Sequence, residues 1–535
     1  MYVPEFEDIT RRHLGRAIAL QAEFNGDTTF IMFDRARYSY AETNQKVNDL
    51  AAGLKREGIG RGSRVAFLMS SCPEVIFLVL AVNKLGAIWV PVNTDYKGVW
   101  LEDTLLRSRP ALIVTDAAHA QRLSEALSTL KDLPVVVFGD AGPLSGTKPF
   151  EELLIAGAPE PDLSAFGYGD TSAVLWTSGT TGKSKGVMQS HNVWFNACLS
   201  ATAQYETTSS DVIFCVLPMY NSAAWVTSLF RAMLGGVPLA IDPAFSVSNF
   251  WERVEFYGAT QIFTLGAMHM FLWNAPEKPD DADNSLNKIM AVPMPADIIK
   301  PFSERFGVQV LGQGMSQSEA MMILNQSSPG RDTWPAGSCG SPVDLVEVKL
   351  MNDNGKEADI GEHGECWVKP KLPYTIFNGY FDDPKATAAA YEGEWYKTGD
   401  LLKRDENNIF YFVDRKKDAV RFKGRNISTF EVELVARQHP AVLDCAAFGI
   451  PSEELESENE LKLNIILRPG HSPDAEDIAR FINSNAPYFF VPRYVEFVSS
   501  LPYTPTNKIQ KYKLREIGLT DTTWDANQAG YRASR

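Results

Sequence analysis

Residues 177–186 read TSGTTGKSKG, which gathers glycines, hydroxyls and two lysines into ten positions. Glycines let a backbone approach an anion closely, while hydroxyls and amide N–H groups donate to phosphate oxygens and lysines supply charge. The stretch therefore has the makings of a phosphate cradle. It is not a Walker loop: laying G-x-x-x-x-G-K-[ST] on Gly182, Lys183 and Ser184 requires a leading glycine at the position held by Thr177. A P-loop ATPase is disfavoured, and a different nucleotide chemistry is called for.

The elements around this loop follow a βα rhythm. KVNDLAAGLKREG places Val47, Leu50, Ala51 and Leu54 on one helical face, and RVAFLMS reads as the strand after it. A helix over 72–86 and a strand at IWVPV follow, and ALIVTD, PVVVFGD, VIFCVLP and QIFTL read as further strands separated by helical segments such as NFWERVEFYGAT. After residue 330 short strands punctuated by Gly, Pro and Asp predict a β-rich subdomain. Beyond the basic stretch DRKKDAVRFKGRNIS the pattern becomes a compact α+β unit of about 120 residues, inside the usual domain range.

The chain has 535 residues, 45% hydrophobic and 22% charged, which is an ordinary globular composition. Its net charge of -15 disfavours nucleic acid or an anionic membrane as the main partner. The six cysteines are scattered without a C-x-x-C pair, so neither a zinc site nor a disulfide framework is expected. No secretion signal is read in the N-terminal residues, and the most apolar run, VIFLVLAV at 75–82, is far shorter than the roughly 20 residues that span a bilayer. A cytoplasmic protein without stable membrane insertion is the expectation.

LWTSGTTGKSKGV resembles the signature [ST]-[SG]-G-[ST]-[TS]-G-x-P-K-G of the adenylate-forming superfamily, with Ser184 in place of proline. The other motifs of that family follow in order along the whole chain. The resemblance implies that Thr177, Ser178, Gly179, Thr180, Thr181, Gly182 and Lys185 bind the phosphates of ATP. GQGMSQSEA is similar to the family's Y-G-x-T-E, which puts Ser318 and Glu319 at the nucleotide, with Glu319 as an anchor for Mg²⁺, a hard cation that prefers oxygen ligands. Met315 stands where the family commonly packs an aromatic residue on adenine. YKTGD and the following DR resemble the ribose motif, so Asp400 and Arg415 would contact the ribose hydroxyls, a carboxylate being able to accept from both.

By the same resemblance a hinge lies at Lys417, within 416–418, and the C-terminal domain turns about it between adenylation and transfer. RFKGRNIS resembles the pantetheine-side motif, giving Lys423, Gly424 and Asn426 to CoA. LPYTPTNKIQKYKLR matches the family's lysine loop, with Asn507 for glycine and the catalytic lysine at Lys508. A cation there stabilises charge that builds on non-bridging oxygens as a carboxylate attacks the α-phosphorus. The implied catalytic set is Lys508, Glu319 and Lys185.

LPMYNSAAW carries Asn221 where many members have histidine. Tyr220, Asn221, Ala224, Trp225 and Met322 are the implied walls of the acyl pocket, and GAMHMF at 266–271 is another candidate wall. FWERVEFYGAT, RDTWPAGSCG and YFVDRKKD are similar to the carnitine/crotonobetaine CoA-ligase branch. The expectation is thus an α/β protein: a large N-terminal ATP- and acyl-binding domain over 1–415 with a β-rich subdomain from about 330, and a small mobile α+β domain over 419–535. Its function would be to activate a small carboxylic acid with ATP and Mg²⁺ and pass the acyl group to CoA, with a homodimer left open. The alternatives are an adenylation enzyme that loads a carrier protein and a degenerate member that binds ligand without turnover.

Overall fold

The computed structural model describes residues 3–127, 133–177, 184–326, 334–416, 418, 420–422, 425–452, 459–503 and 509–533. They form two compact units. The first is built from Met1–Thr177, Ser184–Glu347 and Lys369–Tyr391, and the second includes Val348–Val368 and Glu392–Arg535.

The first unit holds two seven-stranded sheets. One runs in the order Gln309–Val310, Lys288–Val292, Gln261–Leu265, Ile213–Cys215, Leu239–Ile241, Thr29–Phe33, Ala36–Ser39. The other runs Lys148–Pro149, Val135–Phe138, Leu112–Asp116, Arg64–Leu68, Ile88–Pro91, Thr171–Thr177, Lys185–Ser190. In each, the strands pair in parallel except the last, which turns back antiparallel on its neighbour. Parallel strands need crossovers, and the helices read from sequence supply them. The apolar run at 75–82 lies in helix Pro73–Lys84, of which every residue but Glu74 is buried. Helix Tyr40–Arg56 opens with a reciprocal Ser39–Glu42 capping box, and helix Phe250–Tyr257 closes on Gly258 at φ 60°. Among the described residues no helix is long and apolar enough to cross a membrane.

The second unit contains a five-stranded sheet in which Gly364–Pro370, Trp395–Arg404 and Phe410–Arg415 pair antiparallel. It also contains a four-stranded sheet, Val442–Pro451, Asn459–Leu467, Tyr494–Phe497 and Trp524–Asp525. Helices Thr429–Arg437 and Ala475–Asn485 cover that sheet through Val432, Ala436, Ile478 and Ile482.

By contact, residues 348–368 and 392–415 group with the C-terminal residues. Polar contacts contribute to this tie. Ser428 Oγ donates to Val413 O at 2.5 Å, and Thr429 donates through both its N–H and Oγ1 to Asp414 Oδ2 at 2.6 and 2.7 Å. These bonds fasten the last strand of the five-stranded sheet to the N-terminus of helix Thr429–Arg437.

Candidate active site

Strand Thr171–Thr177 pairs with Lys185–Ser190 up to Thr177↔Lys185, and Thr177 Oγ1 donates to Lys185 O at 3.3 Å. The two residues that flank the expected phosphate loop are thereby fixed. Ser178, Gly179, Thr180, Thr181 and Gly182 lie outside the described residues. Ser184, the residue in place of the signature proline, is buried.

A third segment completes this corner. Residues 378–381 lie along the strand of Lys185: Phe381 N donates to Gly186 O at 2.7 Å, Asn378 N to Met188 O at 2.8 Å, and Met188 N to Gly379 O at 3.0 Å. A Cβ at Gly186 would sit 2.9 Å from Val174 Cγ1 and 3.2 Å from Phe381 Cβ, so a side chain there would push the segment away. Strands Gly314–Met315 and Leu324–Asn325 carry the turn with Ser318 and Glu319 at its tip, closed by Gln317 N donating to Ala320 O at 2.9 Å. Gln189 donates through its side-chain amide to Ser318 O, and Phe377 N donates to Glu319 O at 2.8 Å.

The result is a small constellation. Tyr380, only 5% exposed, donates its hydroxyl to Glu319 Oε1 at 2.9 Å, and Lys185 Nζ stands 4.5 Å from the centre of the same ring. The ammonium over the ring is a cation–π contact, and the phenol aligns the carboxylate. The sequence placed Lys185 and Glu319 at the phosphates but passed over Tyr380. FNGYF offers one signal, the glycine at 379 with φ 98°, but which strand this segment pairs with cannot be read locally.

Asp400 and Arg415 meet within the second unit. They are register partners on adjacent antiparallel strands, and Arg415 Nε lies 2.8 Å from Asp400 Oδ1. Asp400 is buried, its N–H donates to Thr398 Oγ1 at 3.1 Å, and Arg415 is partly exposed. A buried carboxylate paired with a partly exposed guanidinium is preorganised to accept hydroxyl donors.

Residues 18–381 match the AMP-binding enzyme family, and residues 431–508 match the AMP-binding enzyme C-terminal domain. The chain belongs to the AMP-binding enzyme family. Among its relatives, crotonobetaine/carnitine–CoA ligase of Shigella flexneri is 32% identical over 490 residues, covering 90% of this chain and 93% of that protein. The protein of the same name in Escherichia coli K12 is 31% identical over 493 residues, with coverage of 90% and 93%. Two solved structures share the fold. An anthranilate CoA ligase in complex with anthranoyl-AMP superposes with a TM-score of 0.84 at 24% identity, covering 94% of this chain and 97% of that one. A benzoate CoA ligase from Burkholderia xenovorans gives 0.82 at 22%, covering 94% and 99%. The expected adenylate-forming family, acyl-CoA ligase type, and its α/β fold are thus established.

The residues implied as walls for the acid divide. Tyr220 donates toward Asp95 Oδ2 at 3.5 Å, and burial together with that carboxylate pushes its phenol well above the usual range. Asn221 Oδ1 accepts from Ala223 N at 3.0 Å, so the residue in the place of the common histidine caps a short helix. That helix passes into a π-helical turn at Trp225–Leu229, a form frequent at functional sites. Ala224 and Trp225 have no exposed surface. Trp225 packs against Trp89 and Phe230 at 4.9 and 4.8 Å between ring centres, and its indole N–H donates to Met219 O at 2.7 Å. Met322 is half-buried.

In the 266–271 segment His269 is buried, with its pKa lowered to about 4 by desolvation. Its Nε2–H donates to Pro293 O at 2.9 Å, which leaves Nδ1 to accept from Thr264 Oγ1 at 3.2 Å. It anchors the core as a neutral ring. Of the residues implied for CoA, Asn426 lies on strand Arg425–Ile427 opposite Arg421. Lys417, Lys423, Gly424 and Lys508 lie outside the described residues, as does the Asn426 side chain.

Proposed function

We propose that this acyl-CoA ligase binds ATP with Mg²⁺ through Lys185 and Glu319, activates a small carboxylic acid as its acyl-adenylate, and transfers the acyl group to CoA. The observation that carries the reading is the Lys185–Tyr380–Glu319 constellation, in which Lys185 ends the stretch of sequence expected to bind phosphate. Among the described residues there is no cluster of three or more side chains that could hold a metal. A single carboxylate fits Mg²⁺ nonetheless, because that cation usually takes one or two carboxylates and completes its shell with phosphate oxygens and water. When bound, it neutralises charge on the phosphates.

In the first half-reaction a carboxylate oxygen attacks the α-phosphorus, the bond to the β-phosphate breaks, and pyrophosphate leaves. Lys185 offsets charge on the phosphates from the flank of the loop. Asp400 and Arg415 hold the ribose, and Lys508 stabilises the developing charge on the α-phosphoryl oxygens. In the second the CoA sulfur attacks the acyl carbon and AMP leaves, with Lys423, Gly424 and Asn426 on the CoA side. Tyr220, Asn221 and Met322 face the acid. Crotonobetaine and carnitine, which the relatives' names print, head the panel of acids to be tried. We place the ligase in the cytoplasm, and its six cysteines form no disulfide, as a reducing compartment requires.

Purified protein given ATP, Mg²⁺, CoA and an acid that it accepts is expected to yield AMP and pyrophosphate in equal amounts with the thioester. ADP and orthophosphate would contradict the reading. Acyl-adenylate that accumulates with CoA present, and is discharged only by a carrier protein, would favour the carrier-loading alternative.

The hinge at Lys417, with the domain line between 415 and 419, is part of the same proposal. Its neighbours are tied to different elements. Lys416 N donates to Gly399 O at 2.9 Å and its Nζ pairs with Glu365 at 2.9 Å, whereas Asp418 pairs with Arg515 of helix Lys511–Ile517 at 2.6 Å. Proline fixes φ near -65° and removes an N–H, so Lys417→Pro should spare one half-reaction and impair the other, thioester formation in the first instance. Separate assay of the two steps checks this, and normal rates in both would place the hinge elsewhere.

A further inference from the structure

We infer that Tyr380 is a positioning residue for the Mg²⁺·ATP complex, acting through Glu319 and Lys185 at once. The inference rests on the nucleotide roles assigned to those two residues above. Their side chains come from chain segments far apart in sequence, and Tyr380 touches both: its hydroxyl donates to Glu319 Oε1 at 2.9 Å, and its ring face lies 4.5 Å from Lys185 Nζ.

The tyrosine is itself held on every side. Its N–H donates to Thr387 Oγ1 at 2.9 Å, it bridges antiparallel to Val187, Phe377 packs edge-on at 5.0 Å, and its side chain is almost wholly buried. Such a ring has one orientation, so the carboxylate and the ammonium that it touches inherit theirs. The hydroxyl occupies one carboxylate oxygen as a donor and so turns the other toward a cation. The ring face engages the ammonium and so holds Lys185 in place before nucleotide arrives.

Two substitutions separate the hydroxyl from the ring. Tyr380→Phe keeps the ring under Lys185 and removes the donor to Glu319, whereas Tyr380→Leu removes both. Binding of ATP to the full-length protein is measured by calorimetry across a series of Mg²⁺ concentrations, without acid or CoA. Pyrophosphate release over the acid panel is measured alongside.

For Tyr380→Phe the half-saturating Mg²⁺ concentration is expected to rise about tenfold, the scale of one hydrogen bond to a charged group, while affinity at saturating Mg²⁺ and the KM for acid stay as in the parent. Tyr380→Leu should in addition weaken ATP binding at saturating Mg²⁺. A Tyr380→Phe titration that superimposes on the parent's overturns the inference, as does a weaker Mg²⁺ response accompanied by a raised acid KM and a lowered melting temperature, which would mean that the tyrosine only supports the fold. If the parent binds ATP in an Mg²⁺-dependent way but no acid yields pyrophosphate, the ligase reading falls while the role of Tyr380 is still decided by its own titration. A parent that binds no ATP defeats both.

Discussion

Lys508→Ala is expected to slow adenylation by a few hundredfold, about 3 to 4 kcal/mol, which is the contribution of one preorganised electrostatic stabiliser. The substitution should change ATP binding much less, because the contact that it removes strengthens only as charge builds in the transition state. Thioester formation from a supplied acyl-adenylate should proceed near the parent rate, since on the proposed hinge the C-terminal domain has by then turned Lys508 away from the α-phosphate. Measuring the two half-reactions separately is the check. Equal losses in both, or no loss in adenylation, would mean that the lysine motif near the C-terminus has a structural role.

Glu319→Gln should reduce adenylation about a hundredfold at fixed Mg²⁺. The glutamine keeps the side chain's length and still offers an oxygen to the Tyr380 hydroxyl, so what it removes is the negative charge. Raised Mg²⁺ should recover part of the lost rate. Because Glu319 and Tyr380 share a hydrogen bond, combining Glu319→Gln with Tyr380→Phe should cost less than the sum of the two. A rate at the parent's level across the Mg²⁺ series would remove Glu319 from the nucleotide site.

The parts of the site legible in the sequence are those written as local strings. Lys185 and Glu319 were reached from motifs, as was the Asp400–Arg415 pair, which adjacent antiparallel strands then bring to 2.8 Å. Helices and strands of the first unit were equally readable, because a run such as VIFLVLAV must be buried whatever surrounds it. Tyr380 was not, since its meaning comes from pairing with a strand almost two hundred residues earlier. Trp225 exposes another limit. An aromatic residue beside a pocket motif reads the same whether it faces a ligand or, as its contacts with Trp89 and Phe230 show, lies wholly within an aromatic core.

The π-turn at Trp225–Leu229 bears on how specificity could change over evolutionary time. A π-turn holds one residue more than an α-turn, so deleting any one residue in it would let the segment relax to an ordinary α-helix. Such a deletion would turn what precedes it by about 100° relative to Phe230–Gly235, since an α-helix advances 3.6 residues per turn. Asn221 and Tyr220 would then point elsewhere, while Lys185, Glu319 and Tyr380, carried by other strands and loops, would keep their places. A single codon's loss or gain could therefore redraw the face that we propose meets the acid and leave the proposed nucleotide residues in place, a coarser step than any one substitution makes.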